Sequence, residues 1–286
     1  MKKIVSLMLA VLMLIGCMAA MASCNKGASV KIGVQSGTTG ELFLKGDADW
    51  GFTGYSNVAT SAYNTGALAV KDLLDGKVDY VVIDAAVAKS LVANNAGTKV
   101  IDYALTSEDF GIGVDKNQPE LLTQINNILE AKKAEIAALY TKYANVTEDN
   151  ASQWEGSTVT SATYDASKNQ LVVATNAQFP PYEFTVGNAY AGIDMEIAKM
   201  IADELGMELV ISDMDFEAVV SSIGKNGVDI ALSGLTINPA REQVIDFSVP
   251  YEEGSYQVII ALESDTTFDG CKSAEDVLAV LKDLKK

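Results

Sequence analysis

Histidine is absent from this chain of 286 residues. Its absence excludes histidine-based catalytic triads, histidine metal ligands and imidazole pH switches. Positive charge is also scarce, because 21 lysine and arginine residues stand against 38 aspartate and glutamate residues, which leaves a formal net charge of −17. A chain this acidic repels the phosphate backbone of nucleic acids, so we expect no nucleic-acid partner.

Proline is rare as well, with 5 residues, whereas 49% of the chain is hydrophobic, 21% is charged and 22 residues are glycine. These values are typical of a globular protein and exclude a collagen-like, low-complexity or wholly disordered chain. The length allows one large domain or two domains of ordinary size.

The N-terminus has the pattern of a secretory signal. A basic start over residues 1–3 is followed by Ile4–Gly16, which contains no charge. We therefore predict a signal peptide over residues 1–23. An uncleaved membrane anchor over Ile4–Ala22 is the alternative, because a single spanning helix needs about 20 apolar residues.

The cysteines favour cleavage with lipidation. Leu14–Cys17 and Met21–Cys24 both resemble the lipobox of bacterial lipoproteins, which has a small residue directly before the cysteine. Polar residues follow Cys24, as in a tether, whereas apolar residues follow Cys17. We therefore predict lipidation at Cys24, with Cys17 as the alternative, and a lipid-anchored tether over residues 24–30. Only Cys271 then remains, so no intramolecular disulfide is expected.

The rest of the chain alternates short apolar runs, typical of buried strands, with helical patterns. This alternation predicts an α/β fold whose mostly parallel sheets are covered by helices. Residues 145–168 are polar and lack periodicity, so we predict a linker there. The predicted strands are Lys31–Val34, Val78–Ile83, Asp109–Val114, Leu171–Ala174, Leu209–Ile211, Val228–Leu232 and Tyr256–Ala261. The predicted helices are Ala67–Leu74, Asp84–Val92, a long helix from Pro119, Asp194–Leu205, Ala218–Ile223 and Ser273–Leu284.

Two turns that follow predicted strands have the composition of anion sites. Ser36–Gly40, with Gly37, Thr38 and Thr39, offers successive backbone amides but lacks the lysine of a nucleotide P-loop. An ordinary strand–helix turn explains this segment equally well. Ser233–Thr236 is followed by Arg241, whose guanidinium suits a carboxylate; a surface arginine beside a turn is the alternative.

Two further features have both a structural and a ligand-binding interpretation. Asp84 follows an apolar strand, where it either caps the next helix or faces an ammonium group. The loop Phe179–Phe184 contains two prolines and displays aromatic rings, which either cover a ligand or fill the core. Asp194, before a predicted helix, is interpreted as a cap.

Several motifs occur together: Ala174–Phe184, Gly192–Asp194, Asp229–Thr236, Pro239, Arg241 and Phe247–Tyr251. In combination they resemble the first lobe of the extracytoplasmic amino-acid-binding proteins of the polar amino-acid ABC transporter class (family 3). Val34–Glu41 and Asp79–Ala88 resemble the second lobe of that family, and Glu120–Tyr143 is similar to its terminal helices. The resemblance implies a two-lobed, type II periplasmic-binding-protein-like fold with a ligand cleft between the lobes.

The segments do not follow the order of the family, in which the first lobe precedes the Ser-Gly-Thr-Thr-Gly turn. The resemblance therefore implies a circular permutation, in which residues 145–168 join the usual chain ends and new ends open in the second lobe. A gene model assembled from neighbouring copies is the alternative, although each segment occurs once. The permuted order predicts a continuous first lobe over residues 117–251, a second lobe made of residues 31–116 and 252–286, and hinge crossings near residues 115–117 and 251–253.

The resemblance also implies how a free amino acid is bound. Arg241, with amides near Thr236 and Thr39, is assigned to the ligand carboxylate, and Asp84, with the Gly234 carbonyl, to the ammonium. Because these partners lie on opposite lobes, the ligand reaches both only when the lobes close. The full set of predicted ligand-binding residues is Arg241, Asp84, Thr236, Gly234, Ser233, Thr39, Thr38, Gly37, Phe179 and Phe216.

Asn176 bears on the ligand side chain. It is neutral where family members that bind basic amino acids often have an acidic residue, which favours an uncharged polar or apolar ligand. An acidic side chain from Glu183, Glu217 or Asp213 in the pocket would reverse this preference.

Three functions are compatible with these residues. A solute-binding lipoprotein is favoured: it acts as a monomer on the outer face of the bacterial cell membrane, uses no metal or cofactor, and delivers an amino acid to a transporter permease. An enzyme is the second, because related folds include a dehydratase that acts on a cyclic amino-acid precursor; without histidine it would rely on carboxylates. A ligand-sensing module of a membrane receptor is the third.

Overall fold

The computed structural model describes residues 29–285. The predicted signal peptide over residues 1–23, residues 24–28 of the tether, and both Cys17 and Cys24 lie outside this range. In residues 29–285 every helix is too short or too polar to cross a membrane.

The described residues form fifteen strands and ten helices. The strands are β1 (Val30–Gln35), β2 (Val58–Tyr63), β3 (Tyr80–Asp84), β4 (Thr98–Ile101), β5 (Glu108–Phe110), β6 (Gly113–Val114), β7 (Gln170–Thr175), β8 (Gln178–Phe179), β9 (Glu183–Val186), β10 (Ala189–Ala191), β11 (Glu208–Asp213), β12 (Ile230–Ala231), β13 (Asp246–Phe247), β14 (Glu252–Ser255) and β15 (Gln257–Leu262). The helices are α1 (Thr39–Lys45), α2 (Gly66–Leu74), α3 (Ala85–Asn94), α4 (Pro119–Ala131), α5 (Lys133–Tyr143), α6 (Glu148–Ala151), α7 (Ile193–Leu205), α8 (Phe216–Ser222), α9 (Pro239–Glu242) and α10 (Ala274–Asp283).

One five-stranded sheet, the N-terminal sheet, has the strand order β2-β1-β3-β15-β4. β1 is parallel to β2 and β3, whereas β15 is antiparallel to both of its neighbours. All five residues of β3 are buried, which explains why the sequence Tyr80–Asp84 is apolar almost throughout. We call this sheet, with α1–α3 and α10, the N-terminal lobe.

The second five-stranded sheet, the central sheet, repeats this arrangement with the order β11-β7-β12-β6-β13. β7 is parallel to both of its neighbours, and β6 is antiparallel to β12 and β13. We call this sheet, with β8–β10, α4, α5 and α7–α9, the central lobe. The two sheets and their covering helices confirm the predicted two-lobed α/β fold.

The chain passes between the sheets through β5 and β14, which pair with each other as a two-stranded antiparallel ribbon. Each of these crossing strands directly precedes the antiparallel strand of a sheet. The first crossing therefore lies at Glu108–Phe110 rather than near residues 115–117, and Gly113–Val114 belongs to the central sheet. The predicted single strand over Asp109–Val114 is divided because its two halves pair with different partners. The other predicted domain boundaries remain a prediction.

Two further segments differ from their prediction. The long helix predicted from Pro119 is interrupted at Lys132, which separates α4 from α5. The predicted linker over residues 145–168 is mostly irregular, but it packs against the central lobe. The Trp154 ring stacks on Tyr143 at 4.9 Å between ring centroids, and Val159 forms an isolated bridge with Tyr190.

Candidate functional site

The carboxyl ends of strands from both lobes meet at one cleft. β1 ends at Gln35 and β7 ends one residue before Asn176, and these two buried side chains are joined by a hydrogen bond from Gln35 Nε2 to Asn176 Oδ1 of 3.0 Å. A second bond between the lobes joins the hydroxyl groups of Thr39 and Thr236 at 3.2 Å. Crevices at the carboxyl ends of strands are the usual ligand sites of open α/β sheets.

Arg241 extends from the central lobe into this cleft. Its short helix, α9, is capped by Asn238, whose side-chain oxygen accepts a bond of 2.8 Å from the Arg241 amide. The guanidinium donates to the Thr236 carbonyl at 2.8 Å and to the Gly37 carbonyl of the other lobe at 3.2 Å. It also lies 5.6 Å from the centroid of the Phe216 ring. Arg241 is thus held in place and is not a free surface arginine.

Two acidic groups outside the central sheet affect the pKa of Arg241. Burial lowers the pKa of its guanidinium to about 10, while the carboxylates of Glu108 and Asp84 oppose that change. The side chain therefore remains charged at neutral pH, and both acidic groups lie close enough to interact with it.

Asp84 ends β3 and precedes α3, but its side chain makes no helix-capping hydrogen bond. The residue is 4% exposed, and its Oδ1 atom receives no hydrogen bond from any described residue. Burial, and next the charge of Glu108, raises the pKa of the Asp84 carboxyl well above its ordinary value. Of the two interpretations of Asp84, the structure excludes side-chain capping. A buried acceptor without a donor is costly, so a ligand ammonium would be stabilising here.

Two residues at the base of the cleft were missed by the sequence analysis. Glu108 on β5 is buried and accepts hydrogen bonds from Thr106, Thr236 and Gln257. Gln257, at the start of β15, is fully buried, and its Oε1 atom receives no hydrogen bond from the described residues. Both are single polar residues beside apolar strands and belong to no motif, so the only available signal was a polar residue at a strand end.

In the predicted anion turn after β1, two of the donors have partners within the chain. The Gly37 amide donates to Glu41 Oε2 at 2.7 Å, so it is occupied by a carboxylate of its own segment. Thr38 Oγ1 donates to the Gln35 carbonyl at 2.7 Å. Thr39 faces the other lobe, and because the Thr236 hydroxyl donates to Glu108, the Thr39 hydroxyl must be the donor to Thr236. Gly37 contributes its carbonyl to Arg241.

The predicted turn after β12 is buried against the loop that contains Phe179. Gly234 has φ +51°, and the Phe179 ring lies 3.2 Å from the position that a side-chain Cβ of residue 234 would take. A residue other than glycine would therefore be strained and crowded here. The Gly234 amide donates to Asp194 Oδ2 at 2.8 Å, and the Ser233 hydroxyl donates to Glu183. Asp194 therefore fixes this turn and does not act as the predicted helix cap.

The remaining acidic candidates lie away from the centre of the cleft. Asp213 is exposed and accepts from the Ala177 amide. Glu217 is exposed and accepts from the Ser36 hydroxyl across the lobes. Glu183 is fully buried behind Ser233. Within residues 29–285, no cluster of three or more acidic or cysteine side chains could hold a metal ion.

The comparisons with known proteins include a family model and several relatives that match part of the chain. Residues 171–285 match the model of bacterial extracellular solute-binding proteins, family 3. The arginine-binding extracellular protein ArtP of Bacillus subtilis is 31% identical over 113 residues, which are 40% of this chain and 42% of that protein. Cyclohexadienyl dehydratase of Pseudomonas aeruginosa is 34% identical over 82 residues, 28% of this chain and 31% of that protein.

A solved structure is also similar to part of the chain. The arginine-bound form of domain 1 from TmArgBP is 32% identical, with 43% of this chain covering 100% of that domain at a TM-score of 0.29. The chain spans less than half the length of the curated relatives that it matches. Residues 171–285 of the chain are therefore similar to the bacterial extracellular solute-binding proteins of family 3.

Proposed function

We propose that this protein binds one free amino acid in the cleft between its lobes and delivers it to the permease of an ABC transporter. The observation that supports the proposal is the placement of a guanidinium and a buried carboxyl group on opposite lobes. Arg241 of the central lobe offers a guanidinium, and Asp84 of the N-terminal lobe offers a buried oxygen without a donor. An amino acid carries one complementary group for each, and desolvation of either group is costly unless it is paired.

The same arrangement explains how ligand binding would close the lobes. A ligand that contacts both Arg241 and Asp84 gains both interactions only when the lobes are close together, and this differential affinity drives closure. The bonds of Gln35 with Asn176 and of Thr39 with Thr236 would then stabilise the closed form. A monomer is sufficient for this mechanism, because both halves of the site come from one chain.

A thermal-unfolding panel with the twenty amino acids tests the proposal. One ligand at a hundredfold excess over its Kd adds about 2.7 kcal/mol to the free energy of unfolding. For a chain of this size, we expect Tm to rise by about 5–10 °C. The panel is read by differential scanning calorimetry, and an unchanged Tm with all twenty amino acids would contradict amino-acid binding.

We propose that the preferred ligand has an uncharged side chain. Asn176 is neutral, and its amide is already engaged by Gln35 and by the Met214 carbonyl. Glu183 is shielded behind Ser233, which leaves Glu217 as the acidic side chain at the cleft edge. In the panel this preference predicts a larger rise in Tm with glutamine than with arginine, and the reverse order would assign Glu217 to a basic side chain.

An enzyme of the dehydratase class is the second candidate. It is favoured by the sequence identity with cyclohexadienyl dehydratase. It is also favoured by Asp84 in the cleft, because burial raises the pKa of this carboxyl well above its ordinary value. We propose that the protein is not an enzyme. Incubation with the cyclohexadienyl substrate of that dehydratase, followed by chromatography, should show no product.

We also propose that the chain is a circular permutant of its family. In support, both ends of the described chain lie together, because Val30 and Leu284 line the same surface cavity. Chain ends that lie close together are compatible with a permuted order and an unchanged fold.

A reordered gene tests the permutation. It encodes residues 157–285, a short glycine–serine linker, and residues 30–156, which restores the order that the resemblance implies and keeps the buried Val146 and Val159. We expect a folded protein that binds the same ligand with a Kd within about threefold of the parent chain. A reordered chain that fails to fold while the parent chain folds would contradict the permutation.

Localisation forms a separate part of the proposal. We propose that Cys24 anchors the protein by a lipid on the outer face of the bacterial membrane. Labelling with a lipid precursor should be lost in Cys24→Ala and kept in Cys17→Ala, because the polar residues after Cys24 suit a tether. The opposite pattern would assign the anchor to Cys17.

A further inference from the structure

Two carboxyl groups are buried beneath the turn Ser233–Thr236 that follows β12, which we call the ligand turn. Glu183 on β9 and Asp194 in the first turn of α7 are both fully shielded from solvent. They accept hydrogen bonds from the consecutive residues Ser233 and Gly234, so the two carboxyl groups approach the same short segment. Glu183 Oε2 and Asp194 Oδ1 receive no hydrogen bond from any N–H or hydroxyl donor in the described residues. Two ionised carboxylates in this position would repel each other in a medium of low polarity.

The backbone brings these groups together. Gly192, with φ +122°, precedes α7, and a Cβ at this position would lie 2.1 Å from the Tyr182 carbonyl oxygen. Only glycine allows the start of α7 to approach the Tyr182–Glu183 backbone this closely. The Asp194 amide then donates to the same Tyr182 carbonyl at 2.9 Å. The proximity of the two carboxyls is therefore built into the chain path.

The outer oxygen of each carboxyl holds one residue of the ligand turn. Glu183 Oε1 accepts from the Ser233 hydroxyl at 2.9 Å, and Asp194 Oδ2 accepts from the Gly234 amide at 2.8 Å. The Ser233 hydroxyl in turn accepts a hydrogen bond from the backbone amide of Asn176 at 3.0 Å. With these atoms occupied, Glu183 Oε2 and Asp194 Oδ1 are the carboxyl oxygens of this pair that receive no hydrogen bond from a described residue.

The charges around the pair favour a bound proton. Burial, and next the charge of Asp194, raises the pKa of Glu183 well above its ordinary value, and Asp213 acts in the same direction. Burial also raises the pKa of Asp194, as does Glu252, whereas the Gly234 amide and the Tyr251 hydroxyl oppose the shift. Neither carboxyl forms an ion pair with a lysine or arginine of residues 29–285.

We propose that Glu183 and Asp194 share one proton and act as positioning residues that hold Ser233 and Gly234 in the conformation required for ligand binding. Glu183 carries the proton on Oε2 and donates it to Asp194 Oδ1, so the pair has a single negative charge. That charge is placed on Asp194, which accepts from Gly234 and Tyr251. The functional part of this inference rests on the proposed function, whereas the shared proton does not.

The substitution Glu183→Gln tests the proton directly. The glutamine carbonyl can accept from Ser233 and its amide can donate to Asp194, so the contacts remain while the titrating proton is lost. At pH 6–7 an unfolded glutamate is ionised, so the wild-type protein should release about one more proton on unfolding than the variant does. The pH dependence of the unfolding free energy, measured with denaturant, gives this difference without any ligand. If the unfolding free energy changes with pH by the same amount in the two proteins, the shared proton is overturned.

The positioning role is tested with ligand. Glu183→Ala removes both contacts of the side chain, and we expect at least a tenfold loss of affinity for the amino acid identified in the thermal panel. Glu183→Gln should restore affinity to within about threefold of wild type. Glu204→Gln, at an exposed position of α7, is the matched control and should change neither affinity nor slope. A glutamine variant as weak as the alanine variant would overturn the positioning role.

A spectroscopic experiment on the wild-type protein covers the case in which the variants do not fold. Carbon-13 NMR of protein labelled at the glutamate carboxyl carbons should show a protonated glutamic acid at pH 7. A spectrum in which every glutamate is ionised at pH 7 would overturn the proposal. Because neither this experiment nor the slope comparison uses a ligand, a failure of amino-acid binding leaves the shared proton separately testable.

Discussion

Arg241→Ala should reduce the affinity for the amino acid by at least about thirtyfold, because truncation of one partner of a buried charge pair costs about 2–5 kcal/mol. The guanidinium is fixed by the Thr236 and Gly37 carbonyls and is therefore oriented before the ligand carboxylate arrives. A lysine at this position offers a point charge without the two-pronged donor geometry, so Arg241→Lys should recover only part of the loss. Isothermal titration calorimetry measures both effects.

The unliganded variant should stay folded. Arg241 donates two hydrogen bonds to carbonyls, and the loss of about 1 kcal/mol would lower Tm by about 2–4 °C for a chain of this size. Lys225→Ala is the matched control, because Lys225 is an exposed cation of the same lobe that donates to the Ser221 carbonyl. It should leave affinity unchanged. An Arg241→Ala variant that keeps the wild-type Kd would show that another group holds the ligand carboxylate.

Asp84 should make ligand affinity depend on pH. Burial, and next the charge of Glu108, raises the pKa of its carboxyl well above the ordinary value of 3.8. The ligand ammonium pairs with the ionised form, so binding at acid pH must release the proton of Asp84. Affinity should therefore rise with pH, by up to about tenfold per pH unit below the folded pKa, and level off above it. Calorimetric titrations between pH 4 and 8 measure this dependence.

The free energy of unfolding should respond with the opposite sign. Because the folded pKa of Asp84 is raised, the unliganded fold holds a proton that the unfolded chain has lost, and its stability falls as pH rises from about 3.8 through the folded pKa. Asp84→Asn removes this contribution, so the unliganded variant should be at least as stable as wild type at pH 7. Its affinity should fall by about tenfold or more, because a hydrogen bond to a charged group is lost.

A control separates this effect from general changes in charge. Asp269→Asn, at an exposed aspartate of the segment before α10 that pairs with Lys99, should leave both the affinity and its pH dependence unchanged. If Asp84→Asn retains wild-type affinity and the same rise with pH, the ammonium does not bind at Asp84.

Much of the fold follows from local patterns in the sequence. The apolar run before Asp84 predicts a strand buried on both faces, because side chains pointing to either face must then be hydrophobic. Gly206 predicts the end of α7, since its left-handed conformation with φ +63° suits glycine at a helix C-terminus. Such signals act over a few residues and need no tertiary context.

The features that sequence analysis missed are tertiary. The division of the predicted strand Asp109–Val114 depends on which distant strand each half pairs with, namely β14 for the first half and β12 with β13 for the second. Glu108 and Gln257 meet because two crossing segments, about 150 residues apart, lie side by side. No local pattern encodes such pairing.

The candidate site combines both kinds of information. Arg241 and Asp84 were identified from their positions after buried strands and from a family resemblance. Their local roles remained ambiguous because a capping aspartate and a ligand-binding aspartate have the same sequence context. The absence of a capping bond and the unpaired Oδ1 atom decide against a cap. The role of Asp194 was misassigned because its hydrogen-bond partner, the Gly234 amide, is 40 residues away in the sequence.

The central claim is that one dipolar molecule spans the two lobes, and a crystal structure with the most stabilising amino acid of the thermal panel tests it most directly. We expect the ligand carboxylate within hydrogen-bonding distance of the Arg241 guanidinium and the ligand ammonium within hydrogen-bonding distance of Asp84 Oδ1. Electron density for the amino acid at any other place, or contact with only one of these two side chains, would contradict the account.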